Sequence, residues 1–222
     1  MAHYVPGSAT EAYEAENNFY LRSHPARLAK LVAHYELYRS IEDLPGAVVE
    51  LGVYKGASLV RFATFRSLLE NPFSRPIIGF DAFGAFPRGR VTAEADQAFI
   101  ERFEAAGGEG IAKPMLEEVL AEKGFANVEL IEGDIFDTLP AFLRDRPAQK
   151  IALLHLDLDV YEPTAFGLDQ LLPRMVRGGL VAFDDYGLVE GATRAADEAC
   201  ARLGVMMSKL SHYQIPAFFE AP

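Results

Sequence analysis

Carboxylates fall at the ends of short apolar runs along this chain, and their types and spacing suit acid–base work or the binding of a hard cation. Glu50 closes the first run and leads into Gly52, Tyr54, Gly56 and Ser58, while Asp81 closes the second. Asp134 and Ile135 follow the third run, Asp157 and Asp159 the fourth, and Asp184 and Asp185 the fifth. Crowded like charges repel one another, so a purely structural chain gains nothing from this pattern. Asp157, Asp184 and Asp185 form an all-oxygen set, which favours Mg²⁺ or another hard divalent cation over Zn²⁺. Without a cation, three meeting carboxylates would push at least one pKa upward. Asp157 or Asp159 is then a candidate proton acceptor. Period-two spacing places both on one face if the strand continues through them.

The elements that must position these groups are legible as alternating apolar and amphipathic segments. Strands are expected at Ala47 to Leu51, Ile77 to Phe80, Val128 to Ile131, Ile151 to Leu156 and Leu180 to Phe183, each ended by Gly or an acid. Short continuous apolar runs of this kind read as buried parallel strands. Helices are expected at Ala26 to Arg39, Ser58 to Leu69, Thr92 to Ala106, Pro114 to Lys123, Thr164 to Val176 and Gly191 to Leu203. That alternation predicts an α/β, doubly wound, Rossmann-like sheet, in which ligands bind beyond the carboxyl ends of the strands. Val205 to Leu210 and Tyr213 to Phe219 leave no room for a helix between them and predict a terminal antiparallel hairpin, for seven strands in all. Residues 1–45 read as a helical arm with aromatics Tyr4, Tyr13, Phe19 and Tyr20, and residues 46–222 as the single main domain. The arm and the loop Phe83 to Arg90 are candidate covers for the site, since long loops in compact domains often serve as lids.

Composition narrows the class of function. The chain has 222 residues, a formal charge of −11 and 50% apolar residues, the balance of a globular protein that can bury a core. That charge repels a polyphosphate, and no basic stripe offsets it, so nucleic acid is not an expected partner. No apolar stretch approaches the roughly 20 residues that span a bilayer. No signal peptide is visible, and the single cysteine, Cys200, fits a reducing, cytoplasmic setting. A small molecule is the expected partner.

The glycine turn after the first run is not the dinucleotide fingerprint, because Tyr54 stands where the second glycine of G-x-G-x-x-G belongs. Instead, Val48-Val49-Glu50-Leu51-Gly52-Val53-Tyr54-Lys55-Gly56-Ala57-Ser58 resembles the first motif of class I S-adenosylmethionine-dependent methyltransferases of the metal-dependent catechol O-methyltransferase type. His155-Leu156-Asp157-Leu158-Asp159-Val160-Tyr161-Glu162-Pro163-Thr164, with Gly178-Gly179-Leu180-Val181-Ala182-Phe183-Asp184-Asp185-Tyr186, resembles the macrocin O-methyltransferase family, which methylates sugar hydroxyls of antibiotics. The resemblance covers residues 47–186.

It implies S-adenosylmethionine as cofactor: Glu50, Gly52, Tyr54 and Gly56 shape the turn around its methionine part, and Ser58 binds its carboxylate. Asp81 would take the ribose hydroxyls, and Asp134 with Ile135 would lie near the adenine. Asp157, Asp184 and Asp185 would hold Mg²⁺, which activates an acceptor hydroxyl. The resemblance also favours a homo-oligomer. After the second run that family carries Asp-Ser/Thr-Phe-x-Gly-Leu-Pro, whereas Asp81-Ala82-Phe83-Gly84-Ala85-Phe86-Pro87 stands here, a departure near the acceptor.

Two other readings compete. Asp157-Leu158-Asp159-Val160-Tyr161 approximates the nucleophile motif of haloacid-dehalogenase-like phosphatases, but that motif opens its fold and here it comes late. The other is a non-catalytic cofactor-binding protein, against which the acids at every run end argue. His155, inside an apolar run, reads as a satisfied core histidine rather than a catalytic one.

Overall fold

Runs such as Ala47-Val48-Val49 and Ile77-Ile78 carry no side chain that needs water, so they can be covered on both faces, as parallel strands require. The computed structural model describes residues 9–222. It forms one sheet of β1 (Ala47–Leu51), β2 (Ile77–Asp81), β3 (Val128–Glu132), β4 (Ile151–Leu156), β5 (Met175–Phe183), β6 (Ser208–Leu210) and β7 (Tyr213–Glu220). Their order is β3-β2-β1-β4-β5-β7-β6. The strands from β1 to β5 pair in parallel, and β7 runs antiparallel to both β5 and β6. This is the mostly parallel, Rossmann-like sheet with a terminal hairpin that the sequence predicts.

Around it lie α1 (Ala9–Arg22), α2 (Pro25–Arg39), α3 (Ala57–Leu69), α4 (Glu94–Gly107), α5 (Lys113–Glu122), α6 (Ile135–Asp145), α7 (Tyr161–Leu171) and α8 (Glu190–Leu203). Successive strand residues point to opposite faces, and two apolar clusters follow from that. Val49, Leu51, Ile78 and Leu154 pack beneath α6, α7 and α8. Val48, Ile77 and Leu153 pack against α2, α3 and α5. Pro25 opens α2, and the His24 ring accepts a hydrogen bond from the Ala26 N–H at 3.2 Å, a side-chain cap at a helix start. The buried face of α2 is Ala33, His34, Leu37 and Tyr38. Tyr13, Phe19 and Tyr20 lie on α1 and are exposed, while Tyr4 lies outside the described residues.

The structure corrects the expected elements in three places. The helix α6 was not anticipated, although Ile135, Leu139, Phe142 and Leu143 bury one helical face; Pro140 in its interior masks the signal. The expected helix Thr164 to Val176 is α7, starting earlier at Tyr161, and a short 3₁₀ turn (Leu172–Arg174) stops it before β5 begins at Met175. Strand β4 ends at Leu156, and Asp159 adopts φ +63°, so Asp157 and Asp159 do not share a strand face.

At the centre of the sheet β1 neighbours both β2 and β4, so its connections diverge in opposite directions. This switch point is where a crevice opens beyond the strand ends.

Candidate active site

Three strand ends meet at Gly52. Its N–H donates to the Phe80 carbonyl at 2.9 Å, and the Asp157 N–H donates to the Leu51 carbonyl at 2.9 Å. Gly52 has φ +89°, and a Cβ there would stand 1.9 Å from the Asp157 carbonyl oxygen, so only glycine allows the close approach of β1 and β4. The chain then turns through Tyr54 at φ +50° and Gly56 at φ +82° into α3.

Asp81 fixes that turn. Its Oδ2 accepts the N–H groups of Val53 at 2.7 Å and Tyr54 at 2.9 Å, and its Oδ1 accepts that of Phe83 at 2.6 Å. A carboxylate offers about four acceptor sites, so roughly one remains at Oδ1 for a ligand hydroxyl. Asp134 caps α6, its Oδ1 accepting the Phe136 N–H at 3.0 Å.

A cleft of about 790 Å³ lies over these ends, lined among others by Gly52, Tyr54, Asp81, Asp134, Ile135, Asp157 and Asp159. Its concave shape and mixed polar and apolar lining suit a small molecule. The segment after β2 supplies the outer wall through Phe86, Val91 and Phe103. Tyr54 ties this wall down: its hydroxyl donates to the Gly107 carbonyl at 2.7 Å, and its ring meets Phe103 at 4.9 Å. Buried Asp96 anchors α4 to α7 by accepting the Tyr161 N–H at 2.9 Å. No motif pointed to Asp96, because its partner is 65 residues away.

Glu50, Gly56 and Ser58 do not line the cleft. Ser58 is buried in the first turn of α3, and Gly56 abuts Leu116. Glu50 shares the parity of Val48, so its side chain faces α2 and α3. There its Oε1 lies 2.9 Å from His155 Nδ1, with both residues fully buried. His155 Nε2 lies 3.6 Å from Asp184 Oδ1. Burial alone would lower the His155 pKa, but the Asp184 and Glu50 carboxylates on either side of the ring outweigh it and hold the ring up to about 10. His155 therefore lies between two buried carboxylates, an arrangement that favours the imidazolium form.

Beside the cleft, ligand atoms of Asp157, Asp184 and Asp185 lie within 4.8 Å of one another. Burial first, and then the neighbouring charges of Asp184 and Asp185, hold Asp157 well above the usual carboxylate range. Asp185 is raised in the same way, by burial and then by Asp159 and Asp184. Asp159 is pushed up to about 8 by burial and by Asp157 and Asp184, and its N–H donates to Asp185 Oδ2 at 3.1 Å. Burial would raise Asp184 too, but His155, His34 and Lys30 hold it well below the ordinary range. Lys30 and His34 escaped the sequence reading. They sit one turn apart on α2 and reach Asp184, some 150 residues on, so no local pattern joins them.

The model of the family described as Macrocin-O-methyltransferase (TylF) matches residues 25–209. An 8-demethyl-8-(2,3-dimethoxy-alpha-L-rhamnosyl)-tetracenomycin-C 4'-O-methyltransferase of Streptomyces olivaceus is 28% identical over 168 residues, 74% of this chain and 61% of that protein. The demethyldecarbamoylnovobiocin O-methyltransferase of Streptomyces niveus is 27% identical over 169 residues, 73% of this chain and 61% of that protein. The chain thus spans about three fifths of the length of these curated relatives. The crystal structure of CalS11, a calicheamicin methyltransferase, superposes with a TM-score of 0.78 at 30% identity, covering 96% of this chain and 87% of that one. These matches leave no support for the phosphatase reading. Among the described residues no helix is long and apolar enough to cross a membrane.

Proposed function

The chain belongs to the macrocin O-methyltransferase family, and on that premise we propose that it transfers the methyl group of S-adenosylmethionine to a hydroxyl of a sugar or similar small-molecule diol, with a divalent cation such as Mg²⁺. One observation carries the reading: the cleft over the β1, β2 and β3 ends is bordered by Asp157, which also belongs to the carboxylate cluster at the β4 and β5 ends. The cleft suits a cofactor, and the cluster beside it suits the oxygens of an acceptor.

The residues fit both groups. For the cofactor, Gly52 and Tyr54 form the turn, Asp81 keeps one acceptor site for a ribose hydroxyl, and Asp134 and Ile135 border the far wall. The acidic lining also suits a sulfonium cation, whose attached methyl group is the electrophile the cofactor supplies. For the metal, Asp157, Asp184 and Asp185 offer only oxygen donors, and Asp184 Oδ1 is buried without a hydrogen-bond partner. A bound cation would supply Lewis-acid character, lowering the pKa of an alcohol that is otherwise a poor nucleophile at neutral pH.

The protein's own groups then divide the work. Asp159 lines the cleft and stands outside the three-carboxylate set, so its carboxylate suits acceptance of the hydroxyl proton. Asp157, inside the set, suits ligation. Tyr54, Phe103 and Phe86 give the cofactor side an aromatic wall. Methyl transfer is a single displacement, so holding acceptor and methyl donor in line supplies much of the rate. The names of the relatives point to sugars on natural products, and a sugar hydroxyl of such a glycosylated metabolite is the acceptor class proposed.

The test is methyl transfer from S-adenosylmethionine to a panel of sugar and phenolic diols, with cofactor binding followed by calorimetry. Transfer to a sugar hydroxyl is expected. Absence of both methyl transfer and cofactor binding would overturn the proposal.

The role of Asp81 can be tested separately. An amide in place of its carboxylate sets a donor against at least one of the three N–H groups it now accepts, whichever way it is turned. Asp81→Asn should therefore weaken S-adenosylmethionine binding by more than tenfold, about 1.4 kcal/mol. Unchanged affinity in a folded variant would place the ribose elsewhere.

A further inference from the structure

We propose that Lys30 is a tethered cation that sets how tightly the carboxylate cluster holds its metal, an inference that rests on the metal-dependent reading above. The Lys30 ammonium is paired directly with Asp184 Oδ2, at side-chain exposures of 23% and 9%. It comes from α2, 154 residues earlier in the chain, and is the only Lys or Arg within ion-pair distance of any of the four acids among the described residues.

An ordinary surface ion pair is worth little, and this one has to strip water from an ammonium group. Its place is what gives it a function. It claims one of the two oxygens of a candidate ligand; the other, Asp184 Oδ1, is buried without a hydrogen bond, with His155 Nε2 at 3.6 Å and His34 Nε2 at 3.9 Å. While the pair persists, Asp184 can offer the metal a single oxygen, not a bidentate grip. The charge of Lys30 also reaches Asp157, Asp159 and Asp185.

Without this lysine the three carboxylates of the set, two of them buried, would hold a divalent ion strongly and by as many oxygens as geometry allowed. Because repulsion between two cations at this range is substantial even at high effective dielectric, Lys30 weakens that grip. A weaker, one-oxygen contact leaves coordination positions for acceptor oxygens. The lysine also makes α2 part of the site, since its placement sets the strength of this competition.

The experiment is titration of the full chain with Mn²⁺, followed by electron paramagnetic resonance, and with Mg²⁺, followed by calorimetry. The variants are Lys30→Met, Lys30→Gln and Lys30→Arg, each checked by thermal melting. Lys30→Met should bind Mn²⁺ at least tenfold more tightly than the native chain, a gain of about 1.4 kcal/mol. Lys30→Gln, which keeps a hydrogen bond to Asp184 without the charge, should move in the same direction if the methionine variant does not fold. Lys30→Arg should stay within threefold of native. Equal or weaker binding by both neutral variants, with the native chain binding metal, would overturn the role of Lys30 alone. If neither native nor neutral variants bind Mn²⁺ at millimolar concentration, the metal reading falls and this inference with it.

Discussion

Asp185→Asn is expected to lower methyl transfer by at least about 100-fold, some 2.7 kcal/mol in activation free energy, while leaving S-adenosylmethionine affinity within about threefold. Asp185 belongs to the three-carboxylate set, and its side chain does not line the cofactor cleft. It is a cleaner probe than Asp184, whose carboxylate is also engaged by Lys30 and lies near His155 and His34. Replacing Asp184 would therefore strip the part-buried Lys30 ammonium and the buried His155 ring of their shared partner, mixing folding with chemistry. Asp185 has the lighter structural duty, accepting the Asp159 N–H at 3.1 Å, and an asparagine oxygen can keep that bond. Turnover and cofactor affinity measured on the same preparation decide it. Normal turnover would remove Asp185 from the metal set, and a matching loss of cofactor affinity would place it in the cofactor site.

His155→Leu should destabilise the fold by about 3–5 kcal/mol, the range for breaking a buried ion pair on one side. In a chain of this size that corresponds to a fall in Tm on the order of 10 °C. The warrant is register: Glu50 and His155 are direct neighbours across β1 and β4, both wholly buried, with Asp184 beyond. Leucine fills the space but leaves two buried carboxylates facing it. Because the folded state raises the His155 pKa, to about 10, its contribution is complete below the ordinary imidazole range near 6.5 and is lost as the pH rises towards 10. The double variant Glu50→Gln/His155→Leu should recover part of the loss, since one stranded charge is gone. Calorimetric melting checks both, and a single variant melting within about 2 °C of native would show that the imidazolium carries no such load.

How far the chain could be read before its structure follows from the range of each interaction. The parallel strands were legible because a strand buried on both faces must be apolar, and an acid or glycine marks where burial stops. The cluster Asp157, Asp184 and Asp185 was legible for the same reason: adjacent parallel strands deliver their ends to one rim. Glu50 and Ser58 show the limit. Motif spacing put them beside the glycine turn, but side-chain parity sends Glu50 to His155, and the first turn of α3 buries Ser58. Asp159 leaves the strand face because its backbone enters the left-handed region at φ +63°. Lys30 was invisible because its partner is 154 residues away and nothing local on α2 separates it from a solvated lysine.

The central claim is that this cleft and this carboxylate cluster work together in metal-assisted methyl transfer to a sugar hydroxyl. It is tested most directly by one assay: methyl transfer to the sugar panel after chelation, and again after Mg²⁺ is restored. Activity is expected to be lost in chelator with cofactor binding intact, and to recover on adding Mg²⁺. Full activity in chelator would contradict it, leaving Asp159 to take the proton of the acceptor hydroxyl without help from a cation.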